Sequence, residues 1–121
     1  MSDTKIIEVR HLPAIVPFQI WKGDTLSDKI IRFVEDNANL DVSGDAFEFL
    51  LHDEDGNQIN TPLTIGSGIE FVGDGIEWKF LPAVTETWTK DAIYTYALKW
   101  TRASNGVVKT IQAGNIIPRY F

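Results

Sequence analysis

Apolar side chains recur at every second residue in three separate stretches of the chain. Phe47, Phe49 and Leu51 alternate with Glu48 and Leu50; Ile76, Trp78 and Phe80 with Glu77 and Lys79; Tyr94, Tyr96, Leu98 and Trp100 with Thr95, Ala97 and Lys99. Successive side chains of a strand point to opposite faces, so each set lines one side of a sheet. The runs are rich in aromatic and β-branched residues, which suit a pleated, half-buried surface. Turn signals separate them: Asp55–Gly56, Gly66-Ser67-Gly68, Gly73-Asp74-Gly75 and Asn105–Gly106. Asn105–Gly106 is the strongest hairpin signal, since Asn-Gly supplies the positive φ angles of a type I′ turn. Short strands with turn signals every ~8–12 residues predict an antiparallel sandwich or small barrel. The pattern places strands near 5–10, 15–21, 26–35, 46–52, 57–64, 68–72, 75–81, 92–101, 106–112 and 115–120. Pro13 and Pro17 remove ladder donors from the second of these, which marks it as an edge or bulged strand.

One segment carries two signals. Thr25-Leu-Ser-Asp28 opens like a capping box, and Leu26, Ile30, Phe33 and Val34 share a helical face. The pairs Ile30–Ile31 and Phe33–Val34 equally suit a strand covered on both faces. Asp36–Asn37, at the end of the segment, is a good turn.

At 121 residues the chain is one domain's worth, long enough for a single core. Hydrophobic residues at 44% and charged residues at 23% fit an ordinary globular protein and argue against disorder. The net charge of −6 argues against nucleic acid or an anionic membrane as partner, because both need clustered positive charge. With no cysteine there is no disulfide, thiolate metal site or thiol chemistry. Only Ile6 and Ile7 are consecutive apolar residues near the N-terminus, and no apolar run approaches ~20 residues. The expectation is a protein made in the cytoplasm with no signal peptide.

Catalytic constellations are thin. His11 and His52 lie far apart and neither is framed by a nucleophile motif, so both are read as solvated strand-end residues. Asp53-Glu-Asp-Gly-Asn57 resembles the start of a calcium loop, but its sixth and twelfth positions are Gln58 and Thr64 where Gly and Glu are needed. A β-turn centred on Asp55–Gly56 explains it without an ion. Gly66-Ser-Gly68 is followed by neither the lysine nor the helix of a phosphate loop. The reading is a non-enzymatic chain with no catalytic, metal or cofactor residues.

The four tryptophans are the more informative residues. Trp78 and Trp100 fall on the alternating apolar faces and belong to the core. Trp21 ends the proline-bearing edge strand and Trp88 lies in the polar stretch 85–90, so these two are expected to be partly exposed. Exposed aromatics serve as carbohydrate platforms or protein–protein anchors.

Several local pieces come in a characteristic order. Lys22-Gly-Asp-Thr25 precedes a strand, and Leu40-Asp-Val-Ser-Gly44 leads into the 46–51 strand. Thr85 and Thr87 precede Ala92-Ile-Tyr-Thr-Tyr96; Asn105-Gly-Val-Val-Lys-Thr-Ile111 and Ala113–Gly114 follow. Over about residues 20–117 the chain resembles the small β-sandwich domains of phage and prophage tail proteins, especially the N-terminal domain of baseplate upper proteins. It departs from that pattern at Ala92, where the family often has Gly, and in residues 1–19, an added strand or arm. The resemblance implies an immunoglobulin-like sandwich in a virion tail, docking to other phage structural proteins and forming homo-oligomers, with no catalytic residue. It implies a strand rather than a helix at 26–35. It also places Tyr94 at a tyrosine corner, where the phenol bonds a backbone group just upstream. The candidate contact residues are Trp21, Trp88, Tyr120 and Phe121. A carbohydrate-binding sandwich using Trp21 and Trp88 is the alternative. The N-terminal arm through Arg10 and the C-terminal segment 116–121 are the candidate docking pieces, and deleting 116–121 is expected to abolish folding or assembly.

Overall fold

A computed structural model describes residues 4–59 and 61–119; the expected contact residues Tyr120 and Phe121 lie outside the described residues. The chain runs β1 (Thr4–Glu8), a 3-10 turn (Val9–His11), β2 (Ala14–Ile15), β3 (Phe18–Trp21), β4 (Leu26–Ser27), β5 (Ile30–Glu35), β6 (Ala38–Asn39), β7 (Ala46–His52), β8 (Leu63–Ile65), β9 (Gly68–Val72), β10 (Gly75–Phe80), α1 (Pro82–Thr85), β11 (Tyr94–Thr101) and β12 (Val108–Arg119). The fold is all-β, as the alternation predicts.

The strands form one curled sheet in the order β1-β5-β10-β9-β8-β7-β11-β12-β2, with β3 also on β12, β4 on β10 and β6 on β5. It is mixed rather than wholly antiparallel. β1 runs parallel to β5, β2 and β3 run parallel to β12, and β8 pairs parallel with β9. The first 21 residues account for most of this. They lay β1 along one end of the sheet, then β2 and β3 along the strand near the other end, each time in the direction of the host strand. The β8–β9 pair is a corner around Gly66–Ser67, where Gly66 N–H donates to Ile69 O at 2.9 Å. Pro13 and Pro17 flank β2, which among the described residues pairs only with β12, in keeping with an edge.

Curling brings opposite stretches of the sheet into ring contact. Phe49 on β7 lies 4.6 Å from Trp78 and 5.2 Å from Phe80 on β10, and stacks on Tyr96 of β11 at 5.0 Å. Phe33 of β5 stacks on Trp100 of β11 at 5.1 Å. Phe49, Trp78, Tyr96 and Trp100 are essentially inaccessible. Each such side chain contributes about 1.5–3 kcal/mol by burial, and well-oriented ring pairs add to that. The alternating runs are therefore the core itself.

Residues 26–35 form β4 and β5, not a helix. Ile31 and Phe33 are buried, and the segment ends in a two-residue turn with φ of 52° at Asp36 and 66° at Asn37. Those two positive angles are the type I′ signature. The turn at Asn105–Gly106 differs from its expectation. Only Gly106 has positive φ, and the loop closes through Gly106 N–H to Arg102 O and Arg102 N–H to Val107 O. The expected strand at 57–64 reduces to a bridge between Gln58 and His52 and the short β8. The two expected C-terminal strands are one, β12, which passes straight through Gly114. A Cβ at Gly114 would sit 2.5 Å from Val16 O, so glycine there admits the β2–β3 backbone against β12.

Candidate functional site

Three places on the fold gather chemistry-bearing side chains. The first is a polar chain across the seam between the sheet's two ends. Asp28, in the β4–β5 link, accepts at Oδ2 from Lys5 Nζ of β1 and from Gln112 Nε2 of β12, and at Oδ1 from Lys29 N–H. Gln112 Nε2 also reaches Tyr96 Oη at 3.0 Å, and Tyr96 O–H donates to Val16 O at 2.6 Å. Burial raises the Asp28 carboxyl, but the bonds from Lys5, Lys29 and Gln112 and the Lys5 charge outweigh it and hold the group below its ordinary value. Burial, with help from the Asp28 charge, pushes the Tyr96 hydroxyl up to about 12 against the opposing bond from Gln112. Tyr96 is thus a proton donor at neutral pH, and the chain of bonds is structural: it fastens β1, β12 and the β2–β3 link to one carboxylate.

The second place is the end of the sheet holding the acidic turn. Asp53 Oδ1 accepts from the N–H groups of Asp55 and Asn57, both at 2.9 Å, and these bonds close the acidic turn. Glu54 Oε1 accepts from Ile93 N–H. A shallow depression of about 400 Å³ lies between this turn and residues Thr87, Trp88 and Thr89. Trp88 was expected to be partly exposed and is not: it is 2% exposed, edge-on to Phe80 at 5.2 Å and to Tyr94 at 6.0 Å. Its polar sequence neighbours belong to α1 and the turn after it, which fold the indole inward. Tyr94 makes the corner contact, with its phenol oxygen accepting from Thr89 N–H at 2.7 Å. Among the described residues no three His, Asp or Glu side chains gather as a metal site. His11 is exposed in the 3-10 turn, and His52 ends β7 and is part-buried.

The third place is the outer face of β7, β8 and β11, an open groove of about 800 Å³. Its floor is the outward set of the alternation, with Ala46, Glu48 and Leu50 on β7 and Lys99 and Thr101 on β11. Val108 and Phe71 stand at its rim, 58% and 37% exposed. One end is braced by Asp45, which accepts from Trp100 Nε1 at 2.8 Å and from Ala103 N–H at 2.9 Å and pairs with Arg102 at 3.3 Å. The Arg102 guanidinium lies 5.2 Å over the Trp100 ring. No local motif marks this face, because its polar and apolar residues come from separate strands and are set together only by pairing.

Trp21, the other expected contact residue, is 44% exposed at the end of β3, where it pairs in register with Arg119. Trp21 and Trp88 therefore do not present a two-indole platform. Of the candidate docking pieces, β1 lies at one end of the sheet. Ile116 is fully buried, so residues 116–119 are part of the core sheet. Comparison with models of known protein families gave no match, and comparison with curated proteins gave none.

Proposed function

We propose that this chain is a non-enzymatic structural component of a phage or prophage tail or baseplate, built as an immunoglobulin-like sandwich and acting by docking to other virion proteins. The sandwich reading is supported by strand order. β5-β10-β9 follows the B-E-D order of such domains and β7-β11-β12 the C-F-G order, and between them the β8–β9 corner is paired at only two positions. Tyr94 opens the strand corresponding to F and bonds back to Thr89, as a tyrosine corner does. In this reading β1 adds an edge to one layer, and β2 and β3 add to the other.

The observation that carries the docking reading is that three strands with a single neighbour each expose a large apolar side chain. Ile6 on β1 is 64% exposed, Ile15 on β2 is 70% and Trp21 on β3 is 44%. Each of these strands has one neighbouring strand among the described residues. Edge strands with apolar side chains invite strand addition and are normally blunted by charge. An assembly component needs such edges; a free monomer is penalised by them. Purified virions carry the test. Mass spectrometry should find the chain in fixed proportion to the other tail proteins, and its coding gene should lie among tail genes. Absence from the particles refutes the reading.

A further inference from the structure

We infer that the groove on the outer face of β7, β8 and β11 is the contact face of a two-fold dimer, with Glu48 of each copy set against Lys99 of the other. The inference rests on the docking reading above and names one partner, a second copy of this chain.

Glu48 and Lys99 are directly opposed in the β7–β11 register. Opposite charges at such positions lie close enough to pair. Here they do not: Lys99 Nζ turns to the other side and donates to Thr110 Oγ1 at 2.6 Å, and the ion pairs among the described residues leave Glu48 out. An acid and a base thus stand side by side in the groove, and the ammonium of Lys99 is turned away from Glu48. A two-fold axis lying in the contact plane, through their midpoint and perpendicular to the line joining them, exchanges the two positions, so each charge of one copy meets its opposite on the other. A partner of uniform charge would leave either Glu48 or Lys99 facing a like charge.

The surroundings favour the same occupant. The chain carries a net charge of −6, so most faces of two copies repel. In this groove Asp45 is already neutralised by Arg102, and Glu48 balances Lys99. Ala46, Leu50 and Val108 flank the charged pair and supply apolar surface for the partner to cover.

Sedimentation velocity on the full chain, from low to high micromolar concentration, tests this. The wild type should show a concentration-dependent monomer–dimer equilibrium. Glu48→Lys and Lys99→Glu should each weaken the dimer by roughly tenfold or more through like-charge contact, and the double exchange should restore it. Thermal melting checks that the variants fold. Should Lys99→Glu fail to fold, Val108→Glu, at a more exposed rim position, takes its place, with a weakened dimer expected. A wild type that stays monomeric, a dimer indifferent to the single changes, or a double exchange that fails to rescue overturns the proposal. None of these results touches the presence of the chain in virions, which tests the docking reading separately.

Discussion

Replacing Asp28 with asparagine should lower stability by about 2–3 kcal/mol at neutral pH. The carboxylate side chain is 11% exposed and receives three donors: Lys5 Nζ, Gln112 Nε2 and Lys29 N–H. Asparagine keeps one acceptor oxygen but turns an amide donor either toward both Lys5 and Gln112 or toward Lys29 N–H, so at least one bond to the carboxylate is lost and the Lys5 ammonium is left without its counter-charge. Hydrogen bonds to charged groups contribute about 1.5–3 kcal/mol each, and breaking a fully buried ion pair costs about 3–5. The lower range applies because the Lys5 side chain is 23% exposed and water recovers part of the loss. With an unfolding entropy of about 2.1 cal/mol/K per residue, a loss of about 2 kcal/mol in a chain this long lowers the melting midpoint by roughly 8 °C.

The dependence on pH gives a second reading of the same interaction. The folded carboxyl titrates below its unfolded value, so its stabilisation is complete above the unfolded pKa of about 3.9 and disappears as pH falls through the folded pKa. Calorimetric scans of wild type and Asp28→Asn from pH 7 down to pH 3 should therefore show two melting curves that converge on acidification. A gap that stays constant over that range, or a variant that melts with wild type at pH 7, refutes the role assigned to Asp28.

Three further changes probe other joints of the fold. Tyr94→Phe removes the acceptor for Thr89 N–H and should cost about 1 kcal/mol by urea denaturation; an unchanged midpoint counts against the corner. Asp45→Ala unties Trp100 Nε1, Ala103 N–H and Arg102 together and should cost about 2–3 kcal/mol, with faster amide exchange in the 102–107 loop; exchange at the wild-type rate contradicts that bracing role. Gly114→Ala drives a Cβ into Val16 O, the acceptor of Tyr96, and should cost more than about 2 kcal/mol; a wild-type melting temperature shows that the β2–β3 link is free to move away.

What could be read from the sequence was what short-range pattern encodes. The strands at 46–52, 75–80 and 94–101 coincide closely with their alternating runs, because each buries one face and shows the other. Pattern failed where long-range packing decides. Trp88 has polar neighbours yet is buried, since Phe80 at the end of β10 and Tyr94 at the start of β11 close on it from the two flanking strands. Gly114 reads as a break but is a point of close approach to Val16. A register shift between Leu98 and Lys99 lets the consecutive Ile111 and Gln112 both be buried, which no period of two predicts. The Asp28–Gln112 contact spans 84 positions and leaves no local trace. The outer groove is equally invisible, because only strand pairing sets Glu48 beside Lys99.

Docking to other virion chains is tested most directly by amine cross-linking of intact purified particles followed by mass spectrometry. Lys22, next to Trp21 at the end of β3, should be recovered joined to lysines of other tail proteins. Recovery of the chain with cross-links only inside itself would contradict the account.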